Sequence, residues 1–400
     1  MRYIFLFGRM PALSAAELVA VAETQHLPTD AFVYAPGWVE ADIPEQQIGA
    51  LQRQLAGTVK IGQVIAEGAD LEQVLSLALI YAHVEADPRM EFAFSGYPEE
   101  KAFGTTLRKL GMQRKKELIA DGYKARYVVS KDAALSSAAV VKNDLLGSGT
   151  EFMVLKGPKG YTIAVTKTVQ HFEAFASRDR ARTHLDAKSG MLPPQLARLM
   201  VNLAGVREGS TILDPFCGSG TVLTEARDMN LHVIGSDNSA KAISDAEKNL
   251  EAQESSMRWR LMRSDVAFLR KNLPATVDAI VTEPFLGSPQ RQALGERAQE
   301  NFFNKLQQLY RNAFTTFAQL LPTGGRVVFV FPAIQGKGDT ALYPFLDELL
   351  LENGFRIHQP LSKEAVATYR PVLSKRNSLL YARPGQRIAR EILILESVPS

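Results

Sequence analysis

Apolar positions in the second half of this chain change period repeatedly. Short extended runs at 211–216, 232–237, 258–265, 277–283 and 326–331 have strand length. Between them the spacing turns helical, at 221–229, 239–252 and about 296–321. The last stretch sets Phe302, Phe303, Leu306, Leu309, Tyr310, Ala313, Phe314, Phe317 and Leu320 on one face. A helix over 195–203 opens behind Pro193 and Pro194, where proline suits a first turn. A further helix over 341–351 leads to a strand at 355–358. Strands at 379–381 and 388–395 flank a turn, Arg383 to Gln386. This alternation predicts a doubly wound, mostly parallel sheet ending in an antiparallel hairpin.

The first half reads as α+β. Residues 1–10 are a strand. Ser14 and Glu17 have capping-box spacing, predicting a helix from Ser14 to about 23. Short extended pieces at 32–34, 38–39 and 43 precede a helix over 46–55. Strands follow at 58–61 and 63–65, then a helix over 71–81 and a strand at 91–94. Residues 104–120 form a helix with Leu107, Leu110, Leu118 and Ile119 apolar, stopped by Gly122 as a left-handed cap. A strand at 123–129 and a helix over 133–145 come next. Strands at 152–155 and 161–165 flank the hairpin signal Gly157 to Gly160. Residues 171–189, with Arg178, Arg180, Arg182 and Lys188, read as a linker that could also touch substrate. Domains are therefore expected at 1–57, 58–170 and 190–400.

Length and an apolar fraction of 46% suit a multidomain globular protein. The single cysteine, Cys217, excludes an internal disulfide framework and a cysteine-based zinc site, and no metal centre is expected. A reducing cytoplasm is the expected compartment. No apolar run reaches membrane-spanning length, and the run Ile4 to Phe7 is too short for a signal peptide. The net charge of +3 hides an asymmetry. Residues 1–100 carry 5 Lys/Arg against 14 Asp/Glu, whereas 101–167 carry 13 against 5. The second segment is a candidate surface for a phosphate backbone, with binding that should weaken steeply in salt.

Candidate chemistry concentrates at the strand ends. Asp214-Pro215-Phe216-Cys217-Gly218-Ser219-Gly220-Thr221 reads as strand, glycine-rich turn and helix start. No Gly-Lys-Ser/Thr follows, so it is not a phosphate loop, and the third glycine of a dinucleotide fingerprint is missing. A nucleoside without phosphates suits it better, and S-adenosylmethionine (SAM) is the obvious one. Asp214, Asp237 and Asp265 end three successive strands. Asp237 could accept both ribose hydroxyls, and Asp265 the adenine amine. Asp214 could hold the loop or the methionine amino group. Phe216, Gly218, Gly220, Thr221, Asn238 and Val266 complete the expected cofactor set.

A fourth strand ends in Thr282-Glu283-Pro284-Phe285-Leu286-Gly287. Together with the Asp214–Thr221 turn, this tract resembles the amino-methyltransferases, whose fourth-strand motif is usually Asp/Asn-Pro-Pro-Tyr. The stretches 190–204 and 6–17 narrow the resemblance to the THUMP-containing tRNA guanine-N2 methyltransferases. That resemblance implies a class I, Rossmann-like SAM-dependent methyltransferase domain preceded by ferredoxin-like and THUMP-like domains. It implies methyl transfer to the exocyclic N2 amine of a tRNA guanosine, with an accessory subunit left open. Glu283 and the Pro284 carbonyl would accept N–H from the amine, and Phe285 would stack on the base. The tract departs from the family pattern, with Glu for Asp and Phe-Leu for Pro-Tyr. A re-registered site, a different acceptor base or lost transfer are the alternatives. A DNA adenine-N6 or cytosine-N4 methyltransferase and a tRNA-binding protein without transfer are the rival functions.

Overall fold

The computed structural model describes residues 1–399 apart from 84–88, 172, 174, 176–191, 274, 291 and 337–338. The 178–188 cluster of basic residues lies outside the described residues. The chain forms two compact units. One contains 1–11 and 28–173, the other 12–27 and 174–400.

The first unit is built on an eight-stranded sheet in the order β2-β3-β1-β4-β8-β7-β5-β6. Its strands are β1 (Arg2–Phe7), β2 (Val33–Ala35), β3 (Trp38–Asp42), β4 (Thr58–Gly68), β5 (Arg89–Tyr97), β6 (Lys124–Tyr127), β7 (Gly149–Gly157) and β8 (Gly160–Val169). With α1 (Pro11–Thr24) and α2 (Glu45–Gln54), the first four strands run βαββαβ and pair in the order 4-1-3-2. That is the ferredoxin-like arrangement. Its fourth strand is β4, antiparallel to β1 with Tyr3 opposite Gln63. The expected boundary at 57/58 thus falls just before a strand this motif needs. The same β4 pairs with β8 on its other edge, so a single sheet runs through both expected domains. Strands expected at 58–61 and 63–65 are one strand, bent where its register to β8 shifts.

Two helices, α3 (Leu71–His83) and α4 (Lys101–Ala120), bury Val74, Leu75, Leu107, Leu110 and Leu118 with Phe92, Phe94 and Phe152 of the sheet. Gly122 ends α4 at φ +95, and the Tyr123 N–H bonds back to the Leu118 carbonyl. The helix expected at 133–145 is shorter. It is α5 (Ser137–Lys142), capped by Ser136, whose hydroxyl accepts the Ala139 N–H at 3.2 Å. The preceding residues serve a buried network instead. Lys60 Nζ donates to the Leu135 carbonyl at 2.7 Å and to Glu151 Oε1 at 2.5 Å, and Ser95 and Thr166 donate to the same carboxylate.

The second unit centres on a sheet whose main path runs β11-β10-β9-β12-β13-β17-β15. These strands are β9 (Thr211–Asp214), β10 (His232–Asp237), β11 (Trp259–Arg263), β12 (Ala279–Thr282), β13 (Arg326–Gln335), β15 (Phe355–His358) and β17 (Ile388–Ser397). Strands β9 to β13 are parallel, and β17 runs antiparallel between β13 and β15. The expected terminal hairpin, β16 (Leu379–Tyr381) with β17, is therefore inserted in the sheet. Two short strands of this half lie off the main path, β16 on β17 and β14 (Thr340–Ala341) on β13. The helix expected from 341 starts later, at Leu346, because Thr340 and Ala341 extend the sheet as β14.

Helices α6 (Pro194–Leu203), α7 (Thr221–Asp228), α8 (Ala240–Glu251), α9 (Leu269–Asn272), α10 (Glu296–Leu320), α11 (Leu346–Asn353) and α12 (Lys363–Tyr369) belong to this unit. Helix α10 lays Phe302, Phe303, Leu306, Tyr310, Phe314 and Phe317 into a core shared with Phe329 and Phe331 of β13. Helix α1 also belongs here. It begins at Pro11, so Ser14 and Glu17 are buried inside it and do not cap it. Glu17 Oε1 accepts the Asn202 side-chain N–H from α6 at 2.6 Å.

Candidate active site

The order of strands reverses between β9 and β12. From β9 the chain builds outward through β10 and β11, then returns to place β12 on the other side. A crevice opens beyond the strand ends at such a switch point. Here it holds a pocket of about 630 Å³. Asp214, Phe216, Gly218, Thr221, Asp237, Asn238, Asp265, Val266, Glu283, Pro284 and Phe285 all line it. Of the residues expected from sequence, Gly220 lies behind the wall. It precedes α7 at φ +85, and Gly218 has φ +51, so the turn uses a left-handed backbone at both positions.

The three aspartates have distinct surroundings. Asp214 is buried. Its Oδ1 accepts the Thr282 hydroxyl at 2.6 Å and the Phe216 N–H at 3.1 Å. Burial pushes its carboxyl up to about 7. Those two hydrogen bonds oppose the rise, while the charges of Asp237 and Glu283 add to it. Asp237 holds the turn, with Oδ2 accepting the Gly218 N–H at 3.1 Å and Oδ1 the Ser239 N–H at 2.9 Å. Each of its oxygens keeps a second lone pair. Asp265 is exposed, and its Oδ1 accepts the Ala267 N–H at 2.9 Å, over the buried Val266. Cys217 is buried, which raises its thiol well above the ordinary range and removes it as a nucleophile.

Glu283 follows β12 directly. Its carboxylate is gripped by Arg390 of β17, with Nε to Oε2 at 2.5 Å and Nη2 to Oε1 at 2.8 Å. Arg390 is buried and lines the same pocket. Burial lowers its pKa, but the bonds and charge of Glu283 outweigh this and the net shift is upward. Phe285 is 59% exposed, while its carbonyl accepts the hydroxyl of the fully buried Tyr310 at 3.0 Å. Gln386, Arg387 and Ile388, at the turn into β17, complete the pocket wall.

Sequence reasoning missed Arg390, and it missed the contacts of Thr282 with Asp214 and of Tyr310 with the Phe285 carbonyl. Arg390 and Glu391 do interrupt the apolar run of β17, and charge inside a buried strand signals a partner. Nothing local names that partner 107 positions away.

A seven-stranded path with its antiparallel strand between the last two, and a pocket at the switch point, define a class I methyltransferase fold. Residues 180–336 match the UPF0020 family model, an RMKL-like methyltransferase domain. A tRNA (guanine(10)-N2)-dimethyltransferase of Methanothermobacter thermautotrophicus is 28% identical over 333 residues, 82% of this chain and 88% of the relative. A tRNA (guanine(6)-N2)-methyltransferase of Thermus thermophilus is 34% identical over 150 residues, 36% of this chain and 40% of the relative. Among solved structures, TrmN from Thermus thermophilus shares the fold over 100% of both chains, with a TM-score of 0.51 at 19% identity. The chain is a methyltransferase, and the relatives it resembles in sequence are guanine-N2 enzymes.

Proposed function

We propose that this protein transfers a methyl group from SAM to the exocyclic N2 amine of a guanosine in tRNA. The observation that carries the reading is the position of Glu283, Pro284 and Phe285 in the same pocket as Asp214, Asp237 and Asp265. The names of the relatives point to the same acceptor.

The residues suit the donor. A buried carboxyl that holds its proton to about pH 7 is a place where a cationic ligand gains most by displacing that proton. Asp214 would thus face the amino group, Asp237 the ribose hydroxyls, and Asp265 with Val266 the adenine. SAM supplies a methyl on a sulfonium, open to displacement by a nitrogen lone pair. On the acceptor side, the amine lone pair of guanine is delocalised into the ring. Glu283 and the Pro284 carbonyl, by accepting its N–H groups, return density to nitrogen. The exposed Phe285 ring offers a stacking face to a base taken out of its stack. Basic side chains at the surface of the first unit, among them Lys109, Lys116, Lys124, Lys131, Lys156, Lys159 and Lys167, would hold the tRNA backbone in a THUMP-like role. Among the described residues no helix is long and apolar enough to cross a membrane. We place the enzyme with its tRNA in the cytoplasm.

The test is methyl transfer from SAM into tRNA with nucleosides identified by mass spectrometry. N2-methylguanosine is the expected product, and Glu283→Ala should lower its rate by about 100-fold or more while SAM still binds. Methylated adenine or cytosine, or transfer into duplex DNA alone, would overturn the assignment.

A further inference from the structure

We infer that Arg390 is the positioning residue of the acceptor side, and that Glu283 and Arg390 act as one unit. The inference rests on the proposed methyl transfer to guanine.

The geometry is that of a fork on a fork. Both oxygens of Glu283 accept from one guanidinium, at 2.5 and 2.8 Å. Such a pair fixes orientation as well as distance. Glu283 follows β12, Arg390 lies on β17, and β13 runs between those strands. The pair therefore bridges a strand, a long acidic side chain facing a long basic one. Arg390 is itself held. It is buried in its strand, with Cζ 5.8 Å from the centre of the Tyr381 ring.

This has a chemical consequence. Glutamate has one more rotor than aspartate, and a loose glutamate would sweep a wide arc beside the bound base. The guanidinium removes that freedom before the base arrives. It takes one lone pair on each oxygen and leaves one on each. The carboxylate then offers a fixed acceptor to a single amine N–H, and the Pro284 carbonyl is left to take the other. Arg390 touches neither reacting atom in this scheme. It acts through Glu283.

A purely structural pair would also bury an arginine against a carboxylate, so the test must separate the two roles. The set is the wild type, Glu283→Asp, Arg390→Gln, Arg390→Lys and the double variant Glu283→Asp/Arg390→Gln. For each, kcat and KM are measured with tRNA, SAM affinity by calorimetry and Tm by thermal melting. Glu283→Asp keeps the carboxylate but withdraws it by one methylene from the guanidinium. Its kcat should fall about 10- to 100-fold with KM and SAM affinity changed less than about 3-fold, the signature of lost positioning. Arg390→Gln should lose a similar factor, and Arg390→Lys should recover part of it. The double variant should be no worse than the worse single, because the two residues act together.

Three results would overturn the inference: Glu283→Asp at wild-type kcat, Arg390→Gln altering Tm alone, or losses that multiply in the double variant. Should Arg390→Gln fail to fold, Arg390→Lys decides: a kcat below the wild type at unchanged KM is expected, and a wild-type kcat overturns the inference. Failure of the underlying function looks different, because the wild type would then form no N2-methylguanosine.

Discussion

The Asp214 carboxyl shows how one residue can tie ligand binding to pH. Burial raises it to about 7, whereas an unfolded chain ionises near 4. The folded, ligand-free protein therefore keeps a proton that the unfolded chain releases. Stability from this group is complete below about pH 4 and declines as pH rises towards 7. A ligand bringing positive charge reverses the preference by favouring the carboxylate. SAM should accordingly bind more tightly at pH 8 than at pH 6, releasing part of a proton near neutrality. Calorimetry in buffers of different ionisation enthalpy measures that proton directly. Asp214→Asn should flatten the dependence, and a wild-type affinity that does not change over this range would remove Asp214 from the ligand's contacts. The position of Asp214 was legible because a strand end followed by a glycine turn is a local pattern. Its burial was not, since that depends on Thr282 arriving from another strand.

At the scale of elements, α10 both fills the core and holds the loop that carries Phe285. The nine apolar positions read from the sequence predicted its buried face, and eight are buried in the structure, Leu309 alone being partly exposed. What periodicity could not show is that Tyr310 points its hydroxyl out of that face to the Phe285 carbonyl. Tyr310→Phe keeps the ring packing and deletes one hydrogen bond. It should cost about 1 kcal/mol of stability in denaturant unfolding. It should also lower kcat several-fold without weakening SAM binding, because it frees the loop that carries Phe285. An unchanged kcat would mean that the loop is held well enough by its other contacts. Elsewhere, helix signals misled where two starts competed. Proline at a first turn opened α1 three residues before the Ser14 signal, and the buried demand of Lys60 for the Leu135 carbonyl kept 133–136 out of α5.

The whole molecule is organised differently from a string of consecutive domains. Period and turn signals revealed the strands on both sides of residue 57. They could not reveal that β4 pairs with β1 and β8 at once, because pairing is a long-range choice. Nor could they show that residues 12–27 belong with 174–400. Every residue from Ala12 to Ala22 is buried, and Glu17 gives its carboxylate to Asn202. A fragment cut at residue 174 would leave the α6 asparagine without that partner and expose the apolar surface α1 covers. Losing the helix removes Leu13, Leu18, Val19 and Val21 from contact, each worth roughly 1.5–3 kcal/mol when fully buried. That sum is of the same order as the net stability of an ordinary domain. Residues 174–400 expressed alone should therefore aggregate or melt without cooperativity, although they include every residue of the pocket. Supplying residues 12–27 as a fused segment should restore a cooperative transition that SAM shifts upward. A fragment of 174–400 that folds and binds SAM unaided would show that α1 is dispensable to the methyltransferase unit.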